Sequence, residues 1–225
     1  MDNEYRYTDR AASPAVAGEQ AARVLRNTYG LLAMSLAVAA AASWYAMAAN
    51  VGFINPLITL GVYFALLFLN AKLQNSAWGI LSVFGITGWL GFTTGPLIAA
   101  YAGLAGGMEV VNTALSVTAL VFVGMSGIAL VTKKDFSFMG SFLMVGLLVA
   151  FVCAIVTLFV DMPGLRLAAS AMFALLSSMV ILWQTSAIIH GGETNYIRAT
   201  VTLFVSLYNL FLSLLHLLTA LGGDD

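Results

Sequence analysis

The chain has 225 residues, 61% of them hydrophobic and only 8% charged, whereas a soluble domain carries about 25% charged side chains. So few charges cannot cover a water-facing surface, and a net charge of −1 excludes a nucleic-acid face, which needs clustered Lys and Arg. The single cysteine, Cys153, excludes an intrachain disulfide or a CxxC metal site.

Residues 1–22 are polar, contain Pro14 and Gly18, and lack the apolar run of a signal peptide. They are expected to form a disordered cytoplasmic tail, with residues 23–225 forming a seven-helix transmembrane domain. Glu19 to Arg26 reads as helical and leads into the first span. A helix crosses the hydrocarbon in about 20 apolar residues, because its backbone satisfies its own hydrogen bonds there. Such stretches occur at about 29–49, 51–69, 77–100, 110–131, 138–160, 167–189 and 199–221. Asn55-Pro56 shortens the second span at its start. In the third, Gly79, Gly85, Gly88, Gly91 and Gly95 let another helix backbone approach closely, and Gly95-Pro96 is expected to kink or end it. The fold class is therefore all-α and polytopic, embedded in the lipid bilayer, with short loops joining antiparallel neighbours.

Lys and Arg retained on the cytoplasmic side set orientation. With seven spans and a cytoplasmic N-terminus, Arg6, Arg10, Arg23, Arg26, Lys72, Lys133, Lys134 and Arg198 fall inside and Arg166 alone falls outside. The C-terminus is then periplasmic in a bacterium.

No Asp or Glu lies at the centre of a span, which disfavours a proton-coupled pump. Weaker polar signals remain. Thr202, Ser206, Asn209, Ser213 and His216 follow one face of the last span, which predicts a central position for that helix. Ser170, Ala174, Ser177, Ile181 and Gln184 form a matching line on the sixth. Counting about 1.5 Å per residue from the inner ends places Gln184 and Ser206 at one depth, within reach of a hydrogen bond. Two readings follow: interhelical glue, or the wall of a polar path including Asn209. His190 ends the sixth helix, Gly191 and Gly192 stop it, and Thr194 or Asn195 can cap the seventh.

Gly124-Met125-Ser126-Gly127 fits the GxSG pattern of intramembrane serine proteases. Ser126 lies near the inner end of its span and His216 near the outer end, roughly 20 Å apart, beyond proton transfer. No catalytic residue and no metal ligand set is expected, and the chain is not expected to be an enzyme.

The stretch Ile188 to Thr200, containing His190-Gly191-Gly192-Glu193-Thr194-Asn195-Tyr196-Ile197-Arg198, resembles the last-loop motif of the Bax-inhibitor family of seven-helix membrane proteins. Ser206 to Phe211, Gly91-Phe92-Thr93 with Gly95-Pro96, Lys133 to Phe138 and Val24 to Tyr29 extend the resemblance over most of the chain. It implies six helices around a central last one. It further implies a bacterial inner-membrane protein that contacts an FtsH-type AAA protease and modulates its proteolysis. Many members carry an aspartate pair on the sixth and seventh helices, proposed to gate a calcium leak by pH. Gln184 and Ser206 stand at the matching positions and cannot ionise, so a calcium leak is the secondary expectation.

Overall fold

A computed structural model describes residues 14–222 of the chain. Among these residues the secondary structure consists of seven α-helices: α1 (Pro14–Ala48), α2 (Pro56–Leu73), α3 (Trp78–Ala102), α4 (Gly107–Thr132), α5 (Met139–Val156), α6 (Pro163–Ile189) and α7 (Tyr196–Gly222). All seven are long and apolar enough to cross a membrane, and the chain is an all-α polytopic membrane protein.

Local chemistry fixes the ends. The Asn55 side chain accepts the Leu57 amide at 2.9 Å and Pro56 opens α2, where proline's missing N–H costs nothing. The span therefore starts five residues later than the hydropathy suggests and runs on to Leu73. α5 stops at Val156, earlier than expected, where the Thr157 hydroxyl turns back to the Ala154 carbonyl at 2.7 Å. Gly95-Pro96 does not end α3, which continues to Ala102 with both residues buried. With no water to take over freed backbone groups, one lost bond does not unravel the neighbouring turns. α1 begins at Pro14, so residues 14–22, expected within the disordered tail, are helical; residues 1–13 lie outside the described part.

α7 is the core. No residue from Ala199 to Thr219 is exposed, and the helix packs on α1, α3, α4 and α6. The polar stripe is only part of the reason, because Leu203, Leu207 and Leu210 are buried as well. They meet Leu31 and Leu32 of α1, Val83, Ile86 and Leu90 of α3, and Ile181 of α6. α2 lies on α3 and α5 on α6, so these two form the flanks. α2 still sends Tyr63, Leu66 and Leu67 to the central cluster. The exposed side chains of the flanks are large and apolar, among them Phe64, Phe68, Phe142, Met144 and Leu148. In water such a patch would promote association; here it faces lipid.

The tightest contact joins α1 and α3. A Cβ at Gly91 would run into the Ala39 backbone, and one at Gly95 would come within 2.6 Å of the Ser43 carbonyl oxygen. These glycines let the two backbones touch, as their spacing predicts.

Candidate functional site

One end of the bundle gathers Lys72, Lys133, Lys134 and Arg198, and the 188–200 motif knits its three loops together. His190 ends α6 and Gly191 follows at φ +76°, a backbone state that glycine adopts without strain. The His190 Nδ1 lies 2.9 Å from the Ser186 carbonyl oxygen and Nε2 lies 3.1 Å from that of Lys133. Both partners are carbonyl oxygens, so a ring nitrogen that bonds here does so as the donor. The Ser186 hydroxyl donates to the Lys134 carbonyl and accepts the Phe136 amide, each at 3.1 Å. The α4–α5 loop is thereby fastened to the end of α6.

Asn195 fastens the other loop. Its Oδ1 caps α7 by accepting the Ile197 amide at 2.9 Å and the Arg198 amide at 3.2 Å. Its Nδ2 donates to the Gln74 carbonyl at 3.1 Å and to Asn75 Oδ1 at 2.8 Å, across the α2–α3 loop. Glu193 is buried and holds the turn from inside, accepting the Asn195 amide at 2.8 Å. Arg198 gives it two further bonds, Nε at 2.6 Å and Nη2 at 2.9 Å. Such a charge-assisted fork is stronger than neutral hydrogen bonds. Gly192 is exposed beside it. In the α4–α5 loop, the Ser137 hydroxyl, together with its amide at 2.9 Å, holds the exposed Asp135 carboxyl below the usual carboxylate range. Between α1 and the α6–α7 loop lies a cleft of about 430 Å³ that bears Glu19, Arg23, Asn27 and Thr194.

Deeper in, the expected bond between Gln184 and Ser206 is not formed. The Ser206 hydroxyl donates instead to Thr202 of its own helix at 2.8 Å, the usual recourse of a short hydroxyl side chain within a helix. Gln184 is 2% exposed and its Nε2 has no protein partner. Thr28 Oγ1, Ser126 Oγ and Ser177 Oγ share that condition. Neighbouring bonds bring α1, α6 and α7 together at this level: Tyr29 to Thr185 at 3.2 Å, and the Thr200 hydroxyl to the Thr28 carbonyl at 3.2 Å. A buried donor without a partner costs about 1–3 kcal/mol, and a water molecule relieves that cost where the site is polar. Asn209, half-buried, lies further along α7. The interior is polar but presents no ionisable group at Gln184, Ser206 or Asn209.

Neither histidine bonds to Ser126; His190 is held as above, and His216 bonds through Nδ1 to the Ser170 hydroxyl at 2.9 Å. That serine–histidine contact was not anticipated, although Ser170 and His216 each belong to a polar line read from the sequence. The Ser170 hydroxyl also reaches the Arg166 carbonyl at 3.0 Å. Among the described residues no cluster of His, Cys, Asp and Glu suits a metal ion.

These features define a seven-helix membrane protein with a buried last helix, a knotted loop motif at its basic end and a neutral polar interior. The chain belongs to the family described as inhibitor of apoptosis-promoting Bax1, which it matches over residues 21–223. It is 48% identical over 206 residues to the modulator of FtsH protease YccA of Escherichia coli, covering 90% of this chain and 92% of that one. An uncharacterized protein of Pseudomonas aeruginosa is 48% identical over 202 residues, 90% of this chain and 91% of its own. Another from Neisseria meningitidis is 37% identical over 212 residues, with 90% and 92% covered.

Proposed function

We propose that this protein is a non-enzymatic, inner-membrane modulator of an FtsH-type AAA protease that acts by direct contact through its helices and its N-terminal segment. The carrying observation is the 48% identity to the E. coli modulator, spread over 90% of this chain rather than confined to one motif. The basic end supports it. Its loops are cross-linked into one surface, and the cleft beside α1 offers a carboxylate, a guanidinium and an amide to a partner. In this reading the N-terminus is cytoplasmic and the C-terminus periplasmic, consistent with the grouping of Lys72, Lys133, Lys134 and Arg198 opposite Arg166. Crosslinking in native membranes tests the reading, comparing the full chain with one lacking residues 1–20. Capture of the protease by the full chain, and altered turnover of its substrates when the gene is deleted, are expected. No capture together with unchanged turnover refutes it.

A second reading, a cation leak of the Bax-inhibitor type conducting calcium, draws on the unpartnered interior donors Gln184, Ser177, Ser126 and Thr28. Because Gln184 and Ser206 cannot titrate, any calcium flux in liposomes should change little between about pH 6 and 8. Flux switched by pH in that range counts against this account of the interior.

A further inference from the structure

At the bundle end opposite the loop motif, α3, α5, α6 and α7 surround a cavity of about 420 Å³. α5 packs on α6 while α3 packs on α1, α2, α4 and α7, and α3 and α5 are not packed together. The cavity occupies the seam between them. Its walls are graded. Arg166, in the first turn of α6, lies about 5 Å from the helix end, whereas Phe173 lies about 15 Å in. Arg166, Tyr101 and His216 line the cavity along with Leu158, Leu212 and Phe173.

We infer that this cavity binds an anionic phospholipid of the phosphatidylglycerol type, with the phosphate on Arg166, a headgroup hydroxyl on His216 Nε2 and the start of an acyl chain against Leu158, Leu212 and Phe173. Three observations carry the assignment. Arg166 is the sole Lys or Arg at this end among the described residues, and its partner is Asp161 at 3.1 Å, with side-chain exposures of 45% and 87%. An ion pair so exposed is worth about 0–1 kcal/mol, so the guanidinium exchanges readily to a phosphate, which its planar fork fits in bidentate fashion. Ser170 Oγ lies 3.0 Å from the Arg166 carbonyl and 2.9 Å from His216 Nδ1; with the serine proton on the carbonyl, Nδ1 is the donor to Ser170 and Nε2 is left to accept from a ligand donor. A hydroxylated headgroup supplies that donor. The apolar depth of the cavity then selects an amphiphile over a free anion, since an inorganic phosphate leaves the leucine and phenylalanine walls uncovered. The leaflet is the periplasmic one in the orientation proposed above; the binding chemistry does not depend on it.

The test is native mass spectrometry of the purified full chain in detergent. Dioleoyl phosphatidylglycerol, dioleoyl phosphatidylethanolamine and inorganic phosphate are titrated separately. Phosphatidylglycerol should be retained as a one-to-one adduct, with apparent affinity about tenfold above phosphatidylethanolamine, and inorganic phosphate should not compete with it. Arg166→Gln should lose that preference. Leu212→Trp, which fills the apolar part and leaves Arg166 in place, should weaken both lipids. Both variants are compared as monodisperse samples, and a variant that fails this criterion leaves the other to decide. Equal retention of the two lipids by the unmodified chain marks them as ordinary annular lipid and overturns the site. So does a preference that survives both substitutions, or displacement of the adduct by inorganic phosphate.

Discussion

Replacing Gly91 by alanine places a methyl group where the backbone of α1 runs. The new Cβ would stand 2.6 Å from the Ala39 Cα, against an ordinary contact of 3.4 Å or more. The Ala39 carbonyl oxygen lies closer still, so relief requires the helices to part by at least about 0.8 Å. The obstacle is backbone rather than the end of a flexible side chain, so the cost belongs at the upper part of the 1–3 kcal/mol typical of overpacking, about 3 kcal/mol. Alanine's better helix propensity returns about 1 kcal/mol, leaving a net loss of about 2 kcal/mol. Gly88→Ala is the internal control, because its Cβ meets Val38 Cγ1 at a comfortable 3.7 Å and keeps the propensity gain. The two variants should therefore differ by about 3 kcal/mol in opposite directions from the unmodified chain. Thermal challenge in one detergent, read as the monodisperse fraction by fluorescence-detected size exclusion, ranks them. If Gly91→Ala survives as well as Gly88→Ala, the α1–α3 contact is not as close as described.

Asn195→Ala removes one side chain that serves two loops, so amide hydrogen exchange should accelerate at residues 74–76 as well as at 195–198. Acceleration confined to 195–198 would mean that the bonds to Gln74 and Asn75 do not form. The Asp135 carboxyl is held below the usual carboxylate range by Ser137, so its contribution to loop order is complete above the ordinary carboxylate pKa. It disappears as pH falls through the lowered value. Ser137→Ala should move the midpoint of the Asp135 carbon-13 carboxyl resonance upward, and an unmoved midpoint refutes the assigned cause. Ser126→Ala should preserve stability and protease modulation, since its hydroxyl has no partner and neither histidine reaches it. Loss of modulation at normal expression would reopen the proteolytic reading of Gly124-Met125-Ser126-Gly127.

Helix count and the burial of α7 were legible because a membrane leaves few alternatives: long apolar runs become helices, and a helix with polar residues along its length avoids lipid. The cap at Asn55-Pro56 and the Asn195 cap were equally readable, being local. Depth arithmetic placed Gln184 and Ser206 at a common level, yet no bond joins them, because a serine hydroxyl within a helix finds the carbonyl one turn back at its own doorstep. The same arithmetic would have found Ser170 and His216. They lie about 10 Å and 9 Å from the ends of their helices. The reach of Asn195 to Asn75 has no sequence signature, since nothing local links residues 120 positions apart. The cavity between α3 and α5 likewise has no sequence signature, since it arises from how α3 packs on α7 while α5 packs on α6.

α1 has a mechanical consequence. Its 35 residues make a rod about 52 Å long, while the hydrocarbon is about 30 Å thick. Val24, packed with Ile188 and Ala199, is the buried residue nearest its start; α1 continues about 15 Å beyond it to Pro14, with Glu19 and Arg23 lining the cleft beside the α6–α7 loop. In the proposed contact with an AAA protease, a pull on the start of α1 would act along its axis, and the load would pass through the helical ladder into the face that α1 shares with α3. There Gly91 and Gly95, about one turn apart, hold backbone against backbone. Force applied in this direction shears the whole interface at once instead of peeling it turn by turn, and shear loads many contacts in parallel. In the proposed protease contact, the α1–α3 face is the part of the fold that would bear such a load.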